Sequence, residues 1–225
     1  MSMKTFFRLV RNNITFNPLH LFFLLRHAIT LLLLRLETKR QFTETYGNFN
    51  FGRDLREYGL NNFTSEGGAI LGDVVYFARS VDLGNGKVLF AGDRNDVKTV
   101  WSPYFSPDQM ITCGIHEMDH YWDFEEKIPQ SLSLLSFRLI ISQAMIEHLV
   151  DPFNHFADLV SLLTPGGILI IHSVLPGFFY HRVPIDCQRF YPDWFETCAS
   201  RFGMNIIDRQ ISVFHITYKM EKPPC

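Results

Sequence analysis

The chain has 225 residues, a formal net charge of −2, 47% hydrophobic residues and only 20% charged residues. This length accommodates one α/β domain with a sizeable core and an N-terminal extension, but not two comfortable domains. The small net charge provides no general basic field for a nucleic-acid backbone, so nucleic acid is not expected as a partner. The four cysteines form no C-x-x-C pair and no His/Cys cluster with zinc spacing. This pattern favours free thiols in a reducing, cytoplasmic compartment, and no metal is expected.

The N-terminal extension, residues 1–72, contains an apolar segment at residues 19–36 that follows three basic residues. Arg26 and His27 interrupt this segment, and a central arginine costs about 2.5–3.5 kcal/mol on membrane-insertion scales. On a helix, the leucines of the segment gather on one face and its polar residues on another. Three interpretations stay open: a helix packed on the following domain, a helix lying in a membrane interface, and a spanning anchor.

Residues 73–225 carry the pattern of an α/β domain, and residues 87–92 form its first buried strand. This strand ends at Gly92, which places the glycine at the carboxyl edge of a sheet, where α/β folds bind ligands. The polar loop that begins with Asp93 then leads into a helix. Residues 72–81 fit a helix or a strand, and their position before the first buried strand favours a helix. The other elements are expected in chain order: a helix from about Val97, a strand at 109–113, a helix that starts at Pro192 and ends at Gly203, and an antiparallel edge strand at 211–218.

The clearest secondary-structure pattern is a βαβ unit within residues 137–175. Its strands are the apolar runs 139–141 and 168–171, which lack alternation, as is typical of parallel strands covered on both faces. Asp151 followed by Pro152 marks the start of the helix between them, because Asp caps helices and proline is tolerated at the first helical position. Residues 164–167, Thr-Pro-Gly-Gly, predict a turn before the second strand.

A family resemblance emerges from the order of these motifs. Asp123-Phe124-Glu125 is followed by Arg138-Leu139-Ile140, six residues, Glu147-His148, and then Leu163-Thr164-Pro165-Gly166-Gly167. Residues 87–218 thereby resemble the class I S-adenosylmethionine-dependent methyltransferases, in particular their type 11-like branch. The resemblance implies a doubly wound, mostly parallel sheet of the Rossmann-like methyltransferase type, and S-adenosylmethionine as the cofactor.

The resemblance also implies cofactor contacts at the ends of two strands. Gly92 with Asp93 would lie beside the methionine moiety of the cofactor, and Gln143 with Ala144 would lie under its sulfonium. A cationic sulfonium and an amino-acid tail need a close backbone and acidic oxygens, which these residue types supply.

Further implied contacts concern the adenine and the ribose. Asp123 would accept from the exocyclic amine, and Phe124 would stack on the base. Gly114 stands about where the family carries the acid that holds the ribose hydroxyls, and Glu117 is the nearest substitute.

Three residues are candidates for catalysis, each with a plainer structural alternative. His148 is either a general base near the transferred methyl group or a histidine hydrogen-bonded to its own loop. His181 and Asp186 are either an acid/base pair on a lid over the substrate or part of an ion pair, with Arg189, that holds the loop on the sheet.

Two functions therefore stay open. The first is methyl transfer to a small-molecule or lipid-like acceptor, in which catalysis is mostly alignment. The second is a non-catalytic methyltransferase-like module for interaction or membrane association, suggested by the polar residues 93–96 where the family repeats glycine, by Gly114, and by the segment 19–36. Neither the acceptor nor the oligomeric state follows from the sequence.

Overall fold

The computed structural model describes residues 18–47, 64–65, 68–69, 72–182, 184–212 and 214–224. The chain divides into two compact units, Met1–Asn48 and Phe49–Cys225. The boundary predicted between residues 72 and 73 lies within the second unit, at the start of the helix Gly72–Ala78, and stays a prediction.

The first unit contains helix α1, Pro18–Tyr46, which includes the whole apolar segment predicted to be helical. Arg40 forms salt bridges with Glu37, one turn before it, and with Glu44, one turn after it, at 2.6 and 2.8 Å. Exposed apolar side chains of α1 include Leu25, Ile29, Leu32, Leu33 and Leu36. None of the helices in the described part of the chain combines the length and the apolar character that crossing a membrane requires.

The second unit is organised around a seven-stranded sheet. Its strands are β3 Val88–Ala91, β4 Met110–Gly114, β5 His120–Tyr121, β6 Phe137–Gln143, β7 Leu163–Val174, β8 Asn205–Ile211 and β9 His215–Glu221, preceded by a small hairpin of β1 Thr64–Ser65 and β2 Gly68–Ala69. The strand order is β5-β4-β3-β6-β7-β9-β8. Strands β3 to β7 pair in parallel, and β9 is antiparallel to both of its neighbours. The predicted doubly wound, mostly parallel sheet is confirmed.

Helices connect the strands as the βαβ pattern requires. They are α2 Gly72–Ala78, α3 Val97–Trp101, α4 Gln130–Ser133, α5 Pro152–Leu162 and α6 Pro192–Arg201, together with short 3₁₀ turns at Pro107–Gln109 and Ile146–His148. At the start of α5, the Asp151 carboxylate accepts a hydrogen bond from the backbone N–H of Asn154 at 3.1 Å. The capping role expected of Asp151 is therefore present.

Successive residues of a strand point to opposite faces of the sheet, and other side chains pack on both faces. On one side, Phe90 of β3 contacts Trp101, whose ring also stacks on Phe105. On the other side, Phe195 of α6 stacks on Tyr218 of β9 at 4.9 Å between ring centroids. Trp101 is thus buried in the core on this face of the sheet.

The end of the chain differs from the prediction of one edge strand at 211–218. Strand β8 ends at Ile211, and β9 begins at His215 and lies between β7 and β8. The antiparallel direction is as predicted, but the edge position was wrong. The reversal was missed because residues 212–214 contain neither glycine nor proline.

The predicted turn at 164–167 also differs, because β7 continues through it. The Gly166 N–H donates to the Lys222 carbonyl at 2.8 Å, and the Lys222 N–H donates to the Gly167 carbonyl at 2.9 Å. These backbone groups find partners in the segment that follows β9, so the Pro-Gly-Gly residues pair as an irregular strand.

Candidate functional site

The carboxyl ends of β3 and β4 form a backbone surface at Gly92 and Gly114. Gly92 has φ +95°, and its N–H donates to the Cys113 carbonyl at 2.9 Å. A Cβ at Gly92 would lie 2.7 Å from Met145 Sδ, and a Cβ at Gly114 would lie 2.7 Å from Met118 Sδ and 3.7 Å from the Gly92 Cα. Two methionine side chains therefore rest directly on adjacent glycines at the sheet edge.

Asp93 follows this surface and is buried. Burial first, and the neighbouring charge of Asp96 second, raise the Asp93 pKa to about 7. A carboxyl group that titrates near neutrality at the carboxyl edge can bind a cation in its ionised form.

At the end of β6, Gln143 is buried and Ala144 has φ +48°, a left-handed conformation not shared by any other non-glycine residue in the described part of the chain. Such a conformation costs about 1–3 kcal/mol and often occurs at functional sites. The Ala144 N–H donates to His172 Nδ1 at 3.1 Å, which leaves His172 Nε2–H to donate to His215 Nδ1, also at 3.1 Å. The strained residue is thus held by the buried His172, which pairs with the half-buried His215, and the sequence pattern did not reveal this pair.

The two residues predicted to contact the adenine, Asp123 and Phe124, differ in burial. The Phe124 ring is 5% exposed and packs edge-on against Trp122 and His155, with centroid separations of 4.8 and 4.6 Å. Asp123 is partly exposed and accepts a hydrogen bond from the Glu125 N–H at 3.1 Å. A base could reach Asp123 directly, whereas stacking on Phe124 requires its ring to be uncovered.

In the loop after β4 both Glu117 and Asp119 are exposed, and Asp119 makes an ion pair and hydrogen bonds. Asp119 accepts from the Thr112 N–H at 2.9 Å and from Lys98 Nζ at 2.5 Å. Burial opposes ionisation of Asp119, but the hydrogen bonds from Lys98 and Thr112 outweigh it and lower the pKa. Asp119 therefore ties the β4–β5 loop to α3, a role that its place in a polar run did not indicate.

A second group of polar residues follows Ala144, beginning with Glu147 in the 3₁₀ turn. The Glu147 side chain is completely buried, and its Oε2 accepts from Ser173 Oγ at 2.7 Å. Its Oε1 is buried, has no hydrogen-bond partner among the described residues, and lies 4.0 Å from His181 Nε2. Burial raises the Glu147 pKa against the lowering effect of Ser173.

His148 is buried beside this carboxylate. Its Nδ1 bonds to the Ile185 carbonyl, which must accept, so Nδ1 carries the proton and Nε2 keeps its lone pair. The His148 ring stands edge-on to the His181 ring at 4.9 Å. The His148 ring is therefore hydrogen-bonded to a distant loop, and not to its own loop as the plainer alternative expected.

His181 and Asp186 lie on the loop that packs against Glu147. Asp186 makes a two-pronged pair with the Arg189 guanidinium, whose hydrogen bonds hold the Asp186 pKa well below its usual range. Asp186 also accepts from the His181 backbone N–H at 2.7 Å, while the His181 ring Nδ1 lies 3.6 Å from Asp186 Oδ2. The ion pair holds the loop, and the His181 ring faces the same carboxylate at a distance longer than a hydrogen bond.

The structure thus brings together His148, which follows the predicted cofactor residues Gln143 and Ala144, and His181 and Asp186 of the loop after β7. The member of the group that was not selected from sequence is Glu147. Its signal was its place beside His148 in the Glu-His motif.

No protein-family model matches the chain, and no curated protein matches it in sequence. Solved structures do match. The chain is similar to an S-adenosylmethionine-dependent methyltransferase from Mesorhizobium loti, with 12% identity and a TM-score of 0.52 over 67% of this chain and 96% of that one. A methyltransferase from Archaeoglobus fulgidus dependent on the same cofactor gives 12% identity and a TM-score of 0.51 over 66% and 91%.

A third similar structure is the [4+2]-cyclase SpnF, with 13% identity and a TM-score of 0.53 over 72% of this chain and 86% of that one. SpnF is named as a cyclase and not as a methyltransferase, so the shared architecture does not by itself specify the reaction. The comparisons do not show that the chain belongs to the type 11-like branch. They show that the second unit has the class I methyltransferase fold.

Proposed function

We propose that this protein binds S-adenosylmethionine at the carboxyl edge of β3, β4 and β6 and transfers the methyl group to a small-molecule or lipid-like acceptor. The observation that carries the proposal is the glycine pair, Gly92 and Gly114, whose backbones meet at the ends of adjacent central strands. Open α/β sheets bind ligands at this edge, and glycine permits close backbone approach.

The residues at this edge fit the amino-acid end of the cofactor. The atoms that lie against the two glycines belong to Met145 and Met118, flexible side chains that can move aside. Asp93 lies next in the chain and, once ionised, would pair with the ammonium group of the cofactor. The contacts of Glu117 with the ribose, of Asp123 and Phe124 with the adenine, and of Gln143 and Ala144 with the sulfonium stay predictions.

S-adenosylmethionine, when bound, supplies an electrophilic methyl group on a sulfonium. The chain itself must align the acceptor and take up its proton. His148 Nε2 has the lone pair for this, because the Nδ1–H is committed to the Ile185 carbonyl. Asp186 and Arg189 hold the loop that carries His181 against this position.

Calorimetric titration of the full chain with S-adenosylmethionine and S-adenosylhomocysteine tests cofactor binding. We expect saturable heat for the wild type and at least tenfold weaker binding for Gly92→Ala, whose new Cβ would meet Met145. Gly84→Ala is the matched control, since Gly84 also has positive φ but nothing within 4 Å of its added Cβ. No heat from the wild type at millimolar ligand would sink the proposal and favour the non-catalytic module.

We also propose that α1 associates with the surface of a membrane from the cytoplasmic side. Support comes from the exposed Leu25, Leu32 and Leu36, which share the helix with the basic Arg26 and Lys39. Co-sedimentation with anionic phospholipid vesicles should retain the full chain and release a chain that lacks residues 1–48. Equal sedimentation of the two proteins would contradict this location.

A further inference from the structure

Glu147, His148 and His181 form a group of potential metal ligands. One donor atom from each residue lies within 4.8 Å of the other two. We propose that these three residues bind one divalent transition-metal ion of the zinc class. The proposal goes beyond methyl transfer, because the ligands can hold a metal whether or not a cofactor is bound.

His148 is oriented as metal-ligating histidines usually are. A ligating imidazole presents one nitrogen to the metal and its other nitrogen to a carbonyl or carboxylate. His148 Nδ1 donates to the Ile185 carbonyl, which leaves Nε2 as its ligand atom. His181 Nδ1 is buried without a hydrogen-bond partner among the described residues, 3.6 Å from Asp186 Oδ2, and His181 Nε2 lies 4.0 Å from Glu147 Oε1.

Glu147 supplies an independent observation. Its side chain is completely buried, yet Oε1 has no hydrogen-bond partner among the described residues. A buried carboxylate oxygen without a partner costs free energy, which a cation at that position would recover. The other oxygen, Oε2, is held by Ser173 at 2.7 Å, so the carboxylate already has the supporting hydrogen bond of a metal ligand.

The donor atoms, which lie within 4.8 Å of one another, must move closer together to bind one ion. The separation of 4.0 Å between His181 Nε2 and Glu147 Oε1 exceeds the roughly 3.3 Å expected between ligands that are each about 2.0–2.1 Å from a tetrahedral zinc ion. His181 can supply this movement, since it lies on a loop and its side chain is 25% exposed.

Charge and ligand type select the metal. Two neutral imidazoles and one carboxylate suit zinc, cobalt, iron or nickel better than magnesium or calcium, which prefer oxygen ligands. The positive charge of the nearby Arg189 opposes metal binding, but two nitrogens of its guanidinium donate to the two carboxylate oxygens of Asp186. Three protein ligands leave a further coordination position open. In the metal-loaded protein His148 Nε2 is a ligand, so proton uptake by His148 is confined to the metal-free protein.

The experiment is a Co²⁺ titration of the full chain after treatment with a chelator, followed by visible absorption, with Zn²⁺ calorimetry in parallel. We expect one equivalent of Co²⁺ with the visible bands of a low-symmetry nitrogen and oxygen site. Zn²⁺ should displace it and raise the Tm. Glu147→Gln and His181→Gln should each weaken binding at least tenfold.

His116→Gln is the control, because His116 is exposed and stands in the loop after β4. It should bind metal as the wild type does. Circular dichroism checks that each variant is folded, and if Glu147→Gln fails to fold, His181→Gln decides the question. Less than one equivalent in the wild type, unchanged binding in His181→Gln, or an equal loss in His116→Gln would overturn the metal site.

Discussion

At the scale of single residues, Gly92 shows how backbone conformation and contact combine. A left-handed conformation costs a residue with a Cβ about 1–2 kcal/mol. Gly84 at φ +52° would bear only that cost on mutation to alanine, whereas Gly92 at φ +95° adds a contact of 2.7 Å with Met145 Sδ. We therefore expect Gly92→Ala to lower the free energy of unfolding more than Gly84→Ala does, in urea titrations of both variants.

The second mutation Met145→Ala separates the two contributions. It should recover part of the loss in Gly92→Ala, since it removes the atom that the new Cβ meets, and a double-mutant cycle measures this coupling. Identical losses in Gly92→Ala and Gly84→Ala would show that Met145 moves aside without cost.

The candidate site could be predicted only in part at this scale. Residue type and order selected His148, His181 and Asp186, which lie together because their segments end or cross at one sheet edge. The burial of the Phe124 ring and of the Glu147 carboxylate could not be predicted, since it depends on packing by His155 and by Ser173, which are distant in sequence.

At the scale of elements, α5 carries a buried histidine whose protonation opposes folding. His155 is fully buried, and both of its ring nitrogens are without a partner among the described residues. Burial lowers the His155 pKa from 6.5 to about 3. Below pH 6.5 the unfolded chain therefore binds a proton that the folded chain rejects, so stability present above pH 6.5 is lost as the pH falls towards 3.

Replacing His155 by phenylalanine should remove this loss and preserve the aromatic packing on Phe124. The linkage slope is about 1.4 kcal/mol per pH unit, so the fall in unfolding free energy between pH 7 and pH 5 should shrink by about 2 kcal/mol. Denaturant unfolding at several pH values measures this. A His155→Phe variant that kept the wild-type pH dependence would contradict the assignment.

The N-terminus of α5 supports a second prediction. Asp151 accepts from the Asn154 N–H, whereas Asp96 at the start of α3 makes no side-chain capping bond. Asp151→Ala should lower the free energy of unfolding by about 1 kcal/mol, and Asp96→Ala should lose no capping energy. Equal losses in urea unfolding would mean that Asp151 does not stabilise α5 through its cap.

The elements that could be predicted share one property, which is that their signals are local. The cap at Asp151, the helix from Pro192 and the apolar strands 139–141 and 168–171 are all specified within a few residues. The errors fell where distant pairing decides, as at residues 164–167, which pair with Lys222, and at residues 211–218, where a reversal without glycine places β9 inside the sheet.

At the scale of the whole molecule, the sheet is completed by its last strand. Strand β9 lies between β7 and β8, and its Ile216, Tyr218 and Met220 are completely buried. The edge of β7 therefore gains its second partner only from the last strand of the chain. Such late, long-range pairing slows folding relative to local contacts.

Truncations at the two ends should consequently have opposite effects. Deleting residues 1–48 leaves the unit Phe49–Cys225, which contains the whole sheet, and this fragment should unfold cooperatively. Deleting residues 215–225 removes far fewer residues but exposes one edge of β7 and leaves β8 without its partner strand. This second fragment should show no cooperative thermal transition in circular dichroism.

Deleting only residues 223–225 is the control for the C-terminal truncation. It keeps Lys222, whose Nζ donates to the Val160 and Leu163 carbonyls at 2.9 and 2.8 Å. The free energy of unfolding should then stay within about 0.5 kcal/mol of the wild type, as is usual for surface changes. If the chain without residues 215–225 still unfolded cooperatively, β7 would be a stable edge by itself, and the position of β9 would not be what completes the fold.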